Sequence, residues 1–425
     1  MLTRPPCLRA SKVAGWGHGT TFPICVAADA TTCPKGPLMD ITTWPTERGR
    51  RNGLVAQFGA TRADLLHRAL VSGDHLADAV VEAIHDDGRQ VNDQLRRGLR
   101  DGLESLDDAH DSVAALLRTT EHLPDFATDD LLDTGSLPFF SMPNAAHIVS
   151  LSAGALIRVY ESPSIADVLT TTGRLIEGAD RRLRETGKWV STVMLPGSLR
   201  PGADGYVATV QVRMLHAHMR HLARTRGFDE SAYGAPINQV DLARTWMDFT
   251  LTSLLAEEKM GLGLSSTETA SIYRYWWAIA HLLGIDSELV EGIQSNEQAQ
   301  RIDDMLQAVT GPLSPQSAEL AAATLSSISD LLHEALNVPQ SLGAIGLHSL
   351  ARRFHPDAIA DELGIRHSSV ADRALDTAIS RIRSYRAKLR RDPDRWTTEQ
   401  QKQIEATRQL LGDGTDPLYQ THRAG

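Results

Sequence analysis

Residues 195–205 read Leu-Pro-Gly-Ser-Leu-Arg-Pro-Gly-Ala-Asp-Gly. No helix runs through such a stretch, because proline removes a backbone donor and glycine frees the backbone. Helical patterning flanks it on both sides, and two helices joined by so short a break lie antiparallel. The first carries Arg182-Leu-Arg-Glu-Thr186, where Arg182 and Thr186 share one face because positions four apart are helical neighbours. The second carries Val212-Arg-Met-Leu-His216-Ala-His218-Met-Arg220-His221, with His216 thirty residues after Thr186. A flat cofactor between two such helices would meet an imidazole on one side and an Arg/Thr pair on the other.

The rest of the chain points to an all-α fold. Ala, Leu, Arg, Asp and Glu dominate, and the Val/Ile/Thr alternation of strands is rare. Helices are expected over residues 60–71, 75–84, 90–106, 107–121, 145–160, 164–194, 205–226, 241–260, 265–283 and 287–309, and another opens at Pro315. Residues 122–144 are rich in Pro, Asp and Gly and read as loop, with room for one short helix over Asp129–Leu132. The organisation expected is a flexible tail over 1–38, a helical domain over 39–395, and a C-terminal helix and tail over 396–425.

Composition excludes several classes of function. A formal net charge of −10 argues against nucleic acid as a bulk partner. No apolar run reaches the length of a membrane span. The cysteines are Cys7, Cys25 and Cys33, so the body holds no disulfide framework and no all-cysteine metal site. The segment Gly15-Trp-Gly-His-Gly19 is a poor apolar core for a signal peptide, and a cytoplasmic location is expected.

His216 is the first candidate ligand, since a neutral imidazole suits haem iron and its second ring nitrogen needs an acceptor. His218 lies about 200° round the helix and cannot share a metal with it. His218 and His221 can share one by spacing, but no nearby carboxylate completes a zinc site. Arg182 and Thr186 offer donors, although Arg181-Arg182-Leu-Arg184 also reads as a solvated basic run. Trp246, Tyr273, Tyr275, Trp276 and Trp277 fall on two consecutive helices, as an apolar channel lining or as core.

At these residues the chain resembles the latex clearing proteins, haem b oxygenases that cleave polyisoprene, and their relatives in secondary metabolism. The resemblance runs from Arg182 through Arg213-x-x-His216 and Arg220-His221-Leu222. It continues in Ile237-Asn-Gln-Val-Asp241, Thr245-Trp246 and Ala280-His281-Leu-Leu-Gly284. It implies a globin-like helical core with additional N- and C-terminal helices, haem b on His216, and Arg182, Thr186 and Arg213 as further cofactor contacts. It implies O2 and an isoprenoid or other alkenyl molecule as substrates, cleaved at a C=C bond to carbonyl products. Arg182 and Thr186 would stabilise bound oxygen.

Two positions bear on that mechanism. The rubber-cleaving members have a lysine three residues after the arginine, where this chain has Glu185, able to act as a base or to pair with Arg181 or Arg182. Their upstream glutamate, a proton acceptor, matches Glu161 in Tyr160-Glu-Ser-Pro163; by itself Glu161 also reads as the end of a buried helix beside Pro163. The absence of an export signal and the presence of Glu185 favour a haem-dependent hydroxylase or other tailoring oxidase over polymer cleavage.

One motif suggests a different class, a DNA-binding or ligand-sensing regulator. Residues 357–370 have the small–Gly–apolar spacing of a helix-turn-helix, followed by a helix with Arg381, Arg383, Arg386, Lys388, Arg390 and Arg391. The same pattern describes a solvated basic face, or one docked on an acidic patch of this chain. The expectation is that nucleic acid is not the partner.

Overall fold

The computed structural model describes residues 12–14, 21–23, 43–171, 179–336 and 339–412. The expected tail over 1–38 lies outside them, apart from two three-residue strands, Lys12–Ala14 and Thr21–Pro23, paired antiparallel. From residue 43 onward the described residues are helix, turn and loop, so the fold is all-α. Its packing is compatible with a globin-like core. Among the described residues no single helix is long and apolar enough to cross a membrane.

Helix boundaries follow local chemistry. Helix Ser266–Leu283 starts at a capping box, in which Ser265 accepts from the Glu268 backbone and Glu268 reaches back. It ends at Gly284, held at φ 72°. Helix Pro315–Leu336 opens on its proline. The periodicity of 287–309 reads as one helix, but the chain turns at Ser287–Leu289 and restarts as Asn296–Thr310. Ser295 caps that restart by accepting from the Gln298 backbone, and a cap outweighs apolar spacing where both compete. Residues 164–194 likewise read as one helix; the described parts are Pro163–Thr171 and Ala179–Val193.

Two segments escape the helical reading. Ser150–Leu156 and Asp248–Thr252 widen into π-helical turns and pack against each other. Such turns are frequent at functional sites, and residue spacing does not reveal them.

Most of the core is a contiguous apolar cluster, reaching from Leu66, Val80 and Leu95 through Trp246 and Trp276 to Leu306 and Leu320, with a smaller one of Val168, Ala223 and Phe228 beside it. At its centre the Ala179–Val193 and Asp204–Thr225 helices pack together, and Asp204–Thr225 also packs on His75–Asp87 and Ser266–Leu283. The C-terminal helix starts at Pro393, three residues before the expected boundary at 396. It packs on Leu137–Ser141, with Gln400 donating to the Leu137 carbonyl at 2.9 Å.

Candidate active site

The antiparallel pair is joined through residues 194–203, with Gly197 and Gly202 at positive φ. One hydrogen bond fixes its register: Trp189 Nε1 donates to Thr209 Oγ1 at 3.4 Å. Arg182 lies seven residues before Trp189, and His216 lies seven residues after Thr209. Seven residues nearly complete two turns, leaving a drift of about 20°. Arg182 and His216 therefore stand at the same level, facing across the pair. Thr186 lies between Arg182 and Trp189 on the same stripe.

His216 is braced by its neighbours. Arg213 donates through Nε and Nη2 to Asp74 at 2.6 and 2.8 Å, and both side chains are buried. One turn beyond His216, Arg220 donates to Asp78 at 2.8 Å and to the Ile237 carbonyl at 2.6 Å. Ile237 is the single non-glycine residue at positive φ (50°) among the described residues. Two glycines make room for these arginines. A Cβ on Gly284 would lie 2.6 Å from the Arg213 guanidinium carbon, and one on Gly73 would lie 2.7 Å from Arg220 Nε. Gln239 ties both glycines together, donating to the Gly73 and Gly284 carbonyls at 2.8 and 3.0 Å. Asp241 receives Arg48 at 3.0 and 2.9 Å, and Trp246 Nε1 donates to the Trp276 carbonyl at 2.9 Å. The motifs around Ile237–Asp241, Trp246 and Gly284 thus form the frame of the His216 helix.

Burial pushes the His216 imidazolium down to about 4, with the Arg220 charge adding to the shift and Asp74 opposing it. The ring is neutral at pH 7, the form that binds a metal. Its Nδ1 is buried and has no hydrogen-bond partner. The acceptor expected for an iron-bound imidazole is therefore not met at Nδ1 among the described residues. A buried polar atom left without a partner is costly, and a bound metal ion relieves that cost. Among the described residues no group of three or more His, Cys, Asp and Glu could hold a metal ion. That speaks against zinc at His218 and His221, and His221 instead stacks on His85 with ring centroids 4.3 Å apart. Haem iron, held by one protein side chain within a macrocycle, fits this donor set.

The remaining candidates divide. The Arg182 guanidinium lies over the Tyr160 ring, 6.0 Å from its centroid. Glu185 accepts from Arg181 Nε at 2.7 Å, one of the pairings open to it. Arg213 is buried, with Nη1 lacking a partner after its bonds to Asp74. Glu161 is 5% exposed and faces away from solvent into a charge network. Its Oε1 meets His355 Nδ1 at 3.1 Å, and its Oε2 stands 3.8 Å from Arg244. Arg158 binds Asp248 and Asp303 in the same network, and burial raises the Asp248 carboxyl to about 6. Trp246, Tyr273, Tyr275 and Trp276 are buried in the core.

The C-terminal basic helix partly serves the chain itself. Arg386 is buried and donates to the Ser141 carbonyl and hydroxyl at 2.6 and 2.8 Å. Arg390 pairs with Glu268 at 2.5 Å, and both arginines lie over Trp396.

No curated protein matches the chain by sequence. The solved structure of a latex clearing protein in its closed state is similar, with a TM-score of 0.58 and 18% identity over 79% of this chain and 89% of that one. The family described as ER-bound oxygenase mpaB/B'/rubber oxygenase, catalytic domain, matches residues 144–390, more than half of the chain. That span holds the Arg182/His216 pair and most of its frame, and the chain belongs to this oxygenase family.

Proposed function

We propose that the protein is a haem b-dependent oxygenase that uses O2 to cleave a C=C bond of an isoprenoid or other alkenyl substrate into carbonyl products. The observation that supports this reading is the Trp189–Thr209 bond, from which helical spacing brings Arg182 and His216 to one level across the antiparallel pair. His216 would hold the iron as a neutral imidazole, and the haem supplies the capacity to activate dioxygen. Arg182 contributes a permanently charged donor and Thr186 a hydroxyl donor, both fixed on one helical stripe. Preorganised donors of this kind stabilise developing negative charge without reorganisation. Of the two carboxylates expected to handle a proton, Glu161 is committed to His355 and the arginine network. Glu185, 18% exposed on the Arg182 helix, is the better placed of the two.

A second reading, a haem-dependent hydroxylase or tailoring oxidase of a small metabolite, draws on one observation. Glu185 is paired with Arg181, so the position that is lysine in rubber-cleaving enzymes here offers no cation. Oxygen uptake and product mass with defined alkenes separate the two: two carbonyl fragments indicate cleavage, and a retained skeleton with added oxygen indicates hydroxylation. The absence of a Soret band from purified protein given haem would defeat both.

A further inference from the structure

Beside the Arg182 stripe lies an apolar cavity of about 20 Å³, lined by Phe139, Val190, Phe249 and Trp276, with Ser253 and Glu257 as its polar members. Space of this size holds one water-sized group. Glu257 is 5% exposed, and a carboxylate is almost never buried without a partner. Its partner is His147, whose Nδ1 meets Glu257 Oε1 at 2.8 Å while Nε2 lies 2.9 Å from the Phe139 carbonyl. Ser150 also donates to Oε1, at 3.0 Å.

The protons follow from these distances. A carbonyl only accepts, so His147 Nε2 carries a hydrogen. A hydrogen bond between Nδ1 and Oε1 needs one proton between them, since a bare ring nitrogen and a carboxylate oxygen both only accept. Among the described residues both hydrogen bonds to Glu257 fall on Oε1. Oε2 is left as an acceptor for whatever enters the cavity.

We propose that Glu257 determines specificity by accepting a hydrogen bond from a hydroxyl at the end of an otherwise hydrocarbon substrate. The inference rests on the oxygenase reading above and names the substrate class. A pure hydrocarbon would leave the carboxylate oxygen desolvated and unpaired, and sites built to pair with a hydroxyl reject analogues that lack it. A carboxylate or phosphate end would meet an acceptor instead of a donor and is also excluded. Val190 lies two residue quartets along the helix from Arg182, so the hydroxyl sits about 12 Å in axial rise from the Arg182/His216 level.

The test uses the purified full chain, with and without haem, and reads quenching of tryptophan fluorescence, since Trp276 lines the cavity. The probes are farnesol, the matching hydrocarbon without the hydroxyl, and the matching phosphate ester. Wild-type protein should bind farnesol at least about tenfold more tightly than either analogue. Glu257→Leu should lose or reverse the preference over the hydrocarbon. Equal binding of farnesol and hydrocarbon by the wild type overturns the proposal without any variant, as does an undiminished preference in a folded Glu257→Leu protein. Haem content is read separately from the Soret band. A failed haem site and a failed hydroxyl subsite therefore give different results.

Discussion

Asp74 grips Arg213 at two points directly above Gly284, a contact between residues 139 positions apart. It anchors the His216 helix three residues before its histidine. Asp74→Ala should destabilise the protein by about 3–5 kcal/mol, because Arg213 would remain buried without its counter-charge. Gly284→Ala should also destabilise it, since its φ of 72° and the overlap with the arginine both oppose a side chain. The double variant Asp74→Leu/Arg213→Leu should lose less than Asp74→Ala alone. Urea denaturation of the three proteins checks this, and a fully stable Asp74→Ala would refute it.

Purified protein should show a Soret band and release haem b, because no Cys-x-x-Cys-His is present for covalent attachment. His216→Ala should lose most of the haem, whereas His218→Ala and His221→Ala should lose little. Metal analysis should find iron and no stoichiometric zinc. Full haem with an unchanged spectrum in His216→Ala would remove the axial assignment.

Arg182→Ala and Thr186→Ala should retain haem and lower turnover, by about 10²-fold for a lost preorganised donor. Haem content and oxygen uptake must be measured on the same preparations. Loss of haem in step with activity would make both residues cofactor anchors instead.

The cofactor-free protein should weaken in acid. An unfolded histidine titrates near 6.5, whereas burial lowers His216 and His218 to about 4 in the folded chain. Above pH 6.5 both states are neutral and nothing is lost. Between about 6.5 and 4 the unfolded chain takes up protons that the folded chain refuses, so stability falls as pH drops. Urea midpoints at pH 7.5, 6 and 5 should decline in that order. His218→Gln should flatten the decline, and an unchanged slope would show that His218 does not contribute.

Glu161→Leu should cost stability before it costs chemistry. It strips a buried carboxylate from Arg244 and His355, at about 3–5 kcal/mol. A stable variant with lowered turnover would instead restore Glu161 as the proton acceptor.

The sequence by itself determined most of the helices, the break at 195–205, and the shared face of Arg182 and Thr186, because each depends on residues within a turn or two. It also singled out His216, through spacing and resemblance. The π-helical turns at Ser150–Leu156 and Asp248–Thr252 were not legible, since every residue in them is buried and no solvated face marks the change of pitch. Arg213 and Arg220 are charged, and charged side chains are almost never fully buried unless paired, so nothing local places them inside. Only tertiary packing supplied Asp74, Asp78 and the Ile237 carbonyl and turned them inward. Gly73 was the available hint, because a glycine without a turn to make often marks a close approach, whereas Gly284 is already explained by the helix end it caps. His147 and Glu257 are 110 residues apart, and nothing local to either announces the other. Hydrogen bonds and periodicity act along the chain and can be read there. Counter-charges for buried groups come from wherever the fold brings them, so tertiary structure alone decided which charges are buried, paired and turned toward the cavity.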